Sequence, residues 1–219
     1  MSYNAVLFDN DGVLTVPTEF DVLTSSVEAT FREFDVEAPP DPHVRSMFHA
    51  RVEGVRDVCA EYGIDHGEFW ERRDRNASAA QQTEIRAGRK TLYDDFEALE
   101  TLGADLGIVS NNQHETIEYI VDFFDIGHLF ETVYGREPTV EGIRRKKPNT
   151  YYLERALADL DVTDALYVGD SNVDVAAARS LGIDSAFVHR PHRDGYELEY
   201  EPTHEIDGLD EIRELVDVA

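Results

Sequence analysis

The chain has 219 residues, 42% of them hydrophobic, which is enough for one sizeable core with a smaller module attached. Its formal charge of −26, from 46 acidic against 20 basic residues, argues against nucleic acid or anionic membrane as the main partner. A lone Cys59 allows no disulfide within the chain, no apolar run reaches the ~18 residues of a membrane span, and Met1–Leu14 lacks the basic start of a signal peptide, so a cytoplasmic protein is expected.

The first predicted element is the buried strand AVLF (5–8). Asp9 and Asp11 stand at its exit, and Gly12 lets the backbone turn sharply there. The period of two along a strand predicts that both carboxylates point into one crevice. Close carboxylates repel each other and are costly to dehydrate, so something must offset them. Taken alone, D-x-D-G also describes a solvated turn. From Val16 to Lys90 no strand pattern occurs. Residues 19–34, 44–63 and 68–88 carry apolar residues at helical spacing, with APPDP (38–42) and GIDHGE (63–68) between them. This predicts a helical module, 16–90, inserted into a core made of 1–15 and 91–219. Ten of the 20 basic residues fall in the module, all arginine except Lys90. They read as solvated helix faces paired with neighbouring glutamates, with one or two left to face an anionic substrate.

Strands then alternate with helices. LGIVS (106–110) precedes the helical NQHETIEYIVDFF, and TVYG (132–135) is a weaker strand. NTYYLERALADL reads as a helix, ALYVG (165–169) as a strand, and NVDVAAARSLG as a helix stopped by Gly182. SAFV (185–188) is the last clear strand, the tail Asp194–Thr203 is acidic and irregular, and a short helix is expected over 209–218. The pattern is that of an α/β fold with a parallel sheet, whose ligands bind beyond the carboxyl ends of the strands.

Other candidate site residues collect at those ends. Ser110 closes LGIVS, where a hydroxyl and the free N–H groups of a helix start can hold a phosphate; Asn112 and Glu115 make a capping pair for that helix. Asp170 ends ALYVG and Asp174 follows in the first helical turn, with Ser171 as its cap. Lys146 and Lys147, two of only three lysines, precede Pro148, which suits the first turn of the next helix. Three or four acids, a lysine, a serine and a helix start at one edge call for a hard cation such as Mg²⁺ and for a phosphate, and free one aspartate to act as nucleophile.

At this point the sequence resembles the haloacid dehalogenase superfamily of phosphatases and phosphomutases. DNDGVLT, VSNN, KKP and VGDSNVD appear in the order of its motifs, and the likeness extends to FFDIGHLFETVYGRE and DVAAARSLGIDSAFV. The resemblance, closest in kind to phosphoglycolate phosphatase and β-phosphoglucomutase members, implies a Rossmann-like core with a C1-type helical cap. It implies that Asp9 attacks phosphorus, and that Asp11 protonates the leaving oxygen and later takes a proton from water. It gives Mg²⁺ to the Asp9 side chain, the Asp11 carbonyl and Asp170, with Asp174 supporting them and orienting Lys147. Ser110 and the Asn111 N–H would bind phosphoryl oxygens, and Lys147, or alternatively Lys146, would balance their charge. The expected activity is hydrolysis of a small phosphorylated metabolite. A phosphomutase is the alternative, and a non-catalytic phosphate-binding or regulatory domain a third reading that would have shed a catalytic group. Asp11 argues against a dehalogenase, and a phosphonoacetaldehyde hydrolase would need a cap lysine where only Lys90 is near. Asn10 and Val13 depart from the usual motif, Val13 in a way also met in the mutases. Acid-rich, lysine-poor composition further resembles that of proteins from salt-loving organisms.

Overall fold

Central strands of a parallel sheet are covered on both faces, so their apolar runs are continuous and split between two cores. The computed structural model, which describes residues 3–48 and 50–216, shows this in β1 (Ala5–Phe8): Val6 and Phe8 enter one apolar cluster, Ala5 and Leu7 another. Four helices follow: α1 (Phe20–Glu33), α2 (Asp41–Ser46), α3 (Val52–Glu61) and α4 (His66–Arg86). The chain then alternates through β2 (Asp105–Gln113), α5 (His114–Phe123), β3 (Thr132–Arg136), α6 (Val140–Arg145), α7 (Tyr151–Asp159), β4 (Leu166–Gly169), α8 (Asn172–Leu181) and β5 (Asp184–Val188). It ends with β6 (His204–Ile206) and α9 (Ile212–Val216).

The sheet has the order β3-β2-β1-β4-β5-β6 and every pairing is parallel. The chain runs outward from β1 to β3 and then returns to β4 on the other side of β1, which makes the carboxyl end of β1 the point where strand order reverses and where a crevice opens. One face packs Val6, Phe8, Ile108 and Val168 against Ile117 and Ile120 of α5 and Ile212 of α9. The other packs Leu7, Val109 and Tyr167 against Leu153 of α7 and Ala177 of α8. The expected α/β parallel-sheet class is therefore what the chain forms.

Helices α1, α3 and α4 enclose a separate cluster, including Phe31, Val55, Cys59, Phe69 and Trp70, which Ile143 of α6 joins from the sheet side. The helix expected over 44–63 is broken into α2 and α3. At the break the Met47 carbonyl accepts from Arg73 at 3.2 Å and the Ala50 carbonyl from Lys146 Nζ at 2.8 Å, so cations from elsewhere satisfy backbone groups that a continuous helix would satisfy itself. Eight of the module's ten cations are exposed or half-exposed, as expected of solvated faces; the exceptions are Arg73 (6% exposed) and Lys90 (0%).

Other differences are local. β6 lies beyond the clear strands of the sequence because three residues carry no periodicity. β2 runs past Ser110 to Gln113, with a shift in its register against β3, so Ser110 lies inside the strand instead of at its end. Helix α7 starts at Tyr151, after a cis Lys147–Pro148 peptide, so Pro148 stands outside its first turn. The expected last helix is a 3₁₀ turn, Leu209–Glu211, followed by α9; Asp217 and Val218 lie outside the described residues.

Candidate active site

Asp9 continues the ladder for one residue past β1, its N–H donating to the Val168 carbonyl at 2.9 Å. Its carboxylate is buried and meets Lys147 Nζ at 3.0 Å. The same ammonium lies 2.8 Å from Asp174 Oδ1, donates to the Val109 carbonyl at 3.1 Å and touches the Tyr167 hydroxyl. Asp9, Asp170 and Asp174, all buried, each bring an oxygen within 4.8 Å of the others. Burial pushes the Asp9 carboxyl up to about 7; Lys147 opposes this, while Asp174, Asp170 and Asp11 add to it. Burial alone would lower the Lys147 ammonium, but Asp174 and then Asp9 override it and hold it above the usual lysine value.

The loop that carries Lys147 is tied to β2. The Asn111 side chain accepts from the Lys147 N–H at 2.7 Å and donates to its carbonyl at 3.1 Å. Lys146 points elsewhere, to Ala50, and burial, followed by the charges of Arg136, Arg73 and Arg51, pushes it down to about 8. Of the two lysines, then, the structure brings Lys147 to Asp9. Both flank a cleft of about 330 Å³ that runs between the start of α3 and Pro148–Asn149.

Asp11 does not follow the period-two expectation. The strand ends at Phe8, and the Asn10 carbonyl accepts from the N–H groups of Val13, Leu14 and Thr15, folding residues 10–15 into a turn. Gly12 sits there at φ 84°, and a Cβ on it would fall 2.1 Å from Asp170 Oδ2, so this position needs glycine both for its backbone and for the close approach. The turn sends Asp11 to different partners from Asp9: an ion pair with Lys90 and a 2.6 Å bond from Asn112 Nδ2. Asn112 therefore does not cap α5 with Glu115; the cap position is Gln113 and makes no side-chain cap bond. Ser110, 2% exposed, accepts from the Asn112 N–H at 3.2 Å.

Ser171 occupies the cap position of α8, but its hydroxyl donates to Asp174 instead of capping the backbone. Asp170 accepts from His192 Nε2 at 2.7 Å and Arg193 Nε at 3.0 Å, both on the loop after β5. Burial would raise the Asp170 carboxyl, yet the hydrogen bonds from His192 and Arg193, followed by the charge of the Arg193 guanidinium, hold it below the usual range. His192, Arg193, Lys90 and Gln81 were not among the residues read from the sequence as site residues. The one available signal was for Lys90, since only three lysines occur in a chain with 46 acids.

Residues 6–188 match the family described as haloacid dehalogenase-like hydrolase. The chain belongs to that family. Curated relatives include the pyrophosphatase PpaX of Bacillus velezensis, 27% identical over 224 residues that cover 98% of this chain and 96% of that one. PpaX of Bacillus cereus is 24% identical over 226 residues, covering 97% and 95%. Among solved structures, CbbY of Rhodobacter sphaeroides in complex with phosphate superposes with a TM-score of 0.70 at 16% identity, covering 96% of each chain. A subfamily IA hydrolase of Geobacter sulfurreducens superposes at 0.60 and 20% identity, covering 98% of this chain and 96% of that one. The hydrolase expected from the motifs is thus an enzyme of this family. Among the described residues no helix is long and apolar enough to cross a membrane.

Proposed function

We propose that this hydrolase is a Mg²⁺-dependent phosphatase that cleaves a small phosphate monoester through a phosphoryl group carried on Asp9. The observation that supports it best is the convergence of three buried carboxylates at the switch point of the sheet, two of them, Asp9 and Asp174, paired with the buried Lys147. The donor set consists of hard oxygens in net negative excess, which fits Mg²⁺. Asp9 and Asp170 would hold the ion together with the Asp11 carbonyl, which belongs to the turn that Gly12 brings against Asp170. When bound, the ion would neutralise charge on the phosphoryl oxygens.

The protein groups divide the remaining work. Asp9 attacks phosphorus, with its position fixed by Lys147, and Asp174 and Tyr167 fix Lys147 in turn. Ser110 and the Asn111 N–H bind phosphoryl oxygens, and Lys147 offsets their charge. Asp11 gives a proton to the leaving oxygen and takes one from the water that attacks the phosphoenzyme. The helical layer of residues 16–90 acts as a C1-type cap that closes the cleft against bulk water. The substrate is a small phosphorylated metabolite of the cytoplasm. The PpaX relatives are named as pyrophosphatases, and cleavage of a phosphoanhydride is likewise a displacement at phosphorus.

The test is a panel of phosphorylated sugars and small acids, assayed for free phosphate with Mg²⁺, with EDTA, and with Mg²⁺ restored. Release that requires the ion is expected; release indifferent to EDTA contradicts the reading. Isomerised product without free phosphate would assign the mutase alternative instead. Because the chain carries a formal charge of −26, raising KCl from low to molar concentration is expected to raise the melting temperature by screening self-repulsion, which calorimetry checks. An unchanged or falling value counts against adaptation to salt.

A further inference from the structure

We propose that Lys90 is a positioning residue that, together with Asn112 and Gln81, holds Asp11 for proton transfer to the leaving oxygen, an inference that rests on Asp11 being the acid. Lys90 lies at the far end of the helical layer in sequence, yet its side chain is 0% exposed. A buried ammonium is costly to dehydrate unless it is paired, and an aliphatic residue would fill the same space without that cost. Its side-chain partners are Asp11 Oδ1 and the Val16 carbonyl, the latter at 3.1 Å. The second carboxylate oxygen of Asp11 accepts from Asn112 Nδ2 at 2.6 Å.

Asn112 is itself fixed. Its Oδ1 accepts from Gln81 Nε2 at 2.9 Å and its Nδ2 also donates to Gln81 Oε1 at 2.9 Å. Gln81 is buried in the last turns of α4. The Lys90 N–H reaches the Glu84 carbonyl at 3.3 Å, and Val16 N–H donates to the Thr91 carbonyl at 2.9 Å, so the two connections between sheet and helices run side by side. Asp11 sits in a turn and is open to solvent on one side, its side chain 31% exposed. Without these two holders its carboxylate is free to rotate. With them, both oxygens are set from the end of α4, and the acid is registered against the helical layer. Misplacing a reacting group by about 1 Å costs on the order of 10²-fold in rate.

The discriminating readout is the dependence on leaving group. With Mg²⁺-loaded enzyme in excess, single-turnover release is measured for para-nitrophenyl phosphate, whose leaving group departs without a proton, and for ethyl phosphate, whose leaving group needs one. Lys90→Met is expected to slow ethyl phosphate by about 10²-fold and para-nitrophenyl phosphate by less than about threefold. Asp11→Asn is expected to show the same asymmetry, more strongly, and Gln81→Met the same asymmetry, more weakly. Thermal melting reports whether each variant is folded, and if Lys90→Met is not, the Gln81→Met ratio decides. Equal slowing of both substrates, or no slowing, in a folded Lys90→Met protein overturns the proposal while an asymmetric Asp11→Asn leaves the acid role standing. An Asp11→Asn protein without the asymmetry overturns the acid role and the proposal with it.

Discussion

Asp9→Asn is expected to lower phosphate release by at least about 10⁴-fold, because the amide has no charged oxygen to attack phosphorus and nothing else in the site replaces it. The same change is expected to stabilise the metal-free protein. Burial first, and then the neighbouring acids, raise the Asp9 carboxyl from the ordinary 3.8 to about 7. The folded chain therefore binds this proton more tightly than the unfolded one, so the contribution of Asp9 to stability falls as pH rises from 3.8 and is fully adverse above about 7. The asparagine variant has no such charge to bury. At pH 8 in EDTA it should melt above the wild type, and adding Mg²⁺ should narrow the gap by stabilising the wild type alone. A variant that keeps its turnover, or that melts lower under both conditions, contradicts this.

Asp74→Ala is expected to produce the largest loss of stability. Asp74 of α4 is 1% exposed and takes two bonds from Arg136 at the end of β3, 2.5 and 2.8 Å, and one from Arg73 at 3.0 Å. Gln113 at the end of β2 adds a fourth at 3.3 Å. Burial would raise this carboxyl, but Arg136 and then Arg73 override it and hold it below the usual range. Trp70 lies against both guanidiniums, at 5.1 Å from Arg136 and 5.0 Å from Arg73. Removing the carboxylate strands two buried cations, which costs about 3–5 kcal/mol. The double change Asp74→Ala with Arg136→Met should recover part of that loss, since an apolar replacement of a whole buried pair is often near neutral. Urea denaturation of the single and double variants checks both statements, and a loss below about 1 kcal/mol for Asp74→Ala would reduce the network to the level of a surface pair.

What the sequence made legible follows from how buried strands are written. AVLF and ALYVG are apolar throughout because both faces of a central parallel strand are covered, and that made β1 and β4 readable. Acids at the ends of two such strands must share an edge once the sheet is parallel, so the meeting of Asp9 with Asp170 was readable as well. The partners of those acids were not. Asn112 looked like a cap because capping and carboxylate binding use the same side-chain atoms, and only the fold shows that its amide meets Asp11 and Gln81. Arg73 looked like a solvated arginine because helical spacing carries no information about what lies opposite, and here the Met47 carbonyl at a broken helix faces it, while Trp70 and Asp74 of its own helix close around it. His204–Ile206 is too short to carry a period at all.

The central claim is that Asp9 becomes covalently phosphorylated at a site where a cation and Lys147 make three buried carboxylates tolerable. Acid-quenching the Mg²⁺-loaded enzyme during turnover of a phosphate ester, followed by peptide mass analysis, tests it most directly. A phosphoryl increment on the peptide that contains Asp9, absent in EDTA and absent in Asp9→Asn, is the predicted result. Turnover with that peptide unmodified, or the increment on another residue, would contradict it.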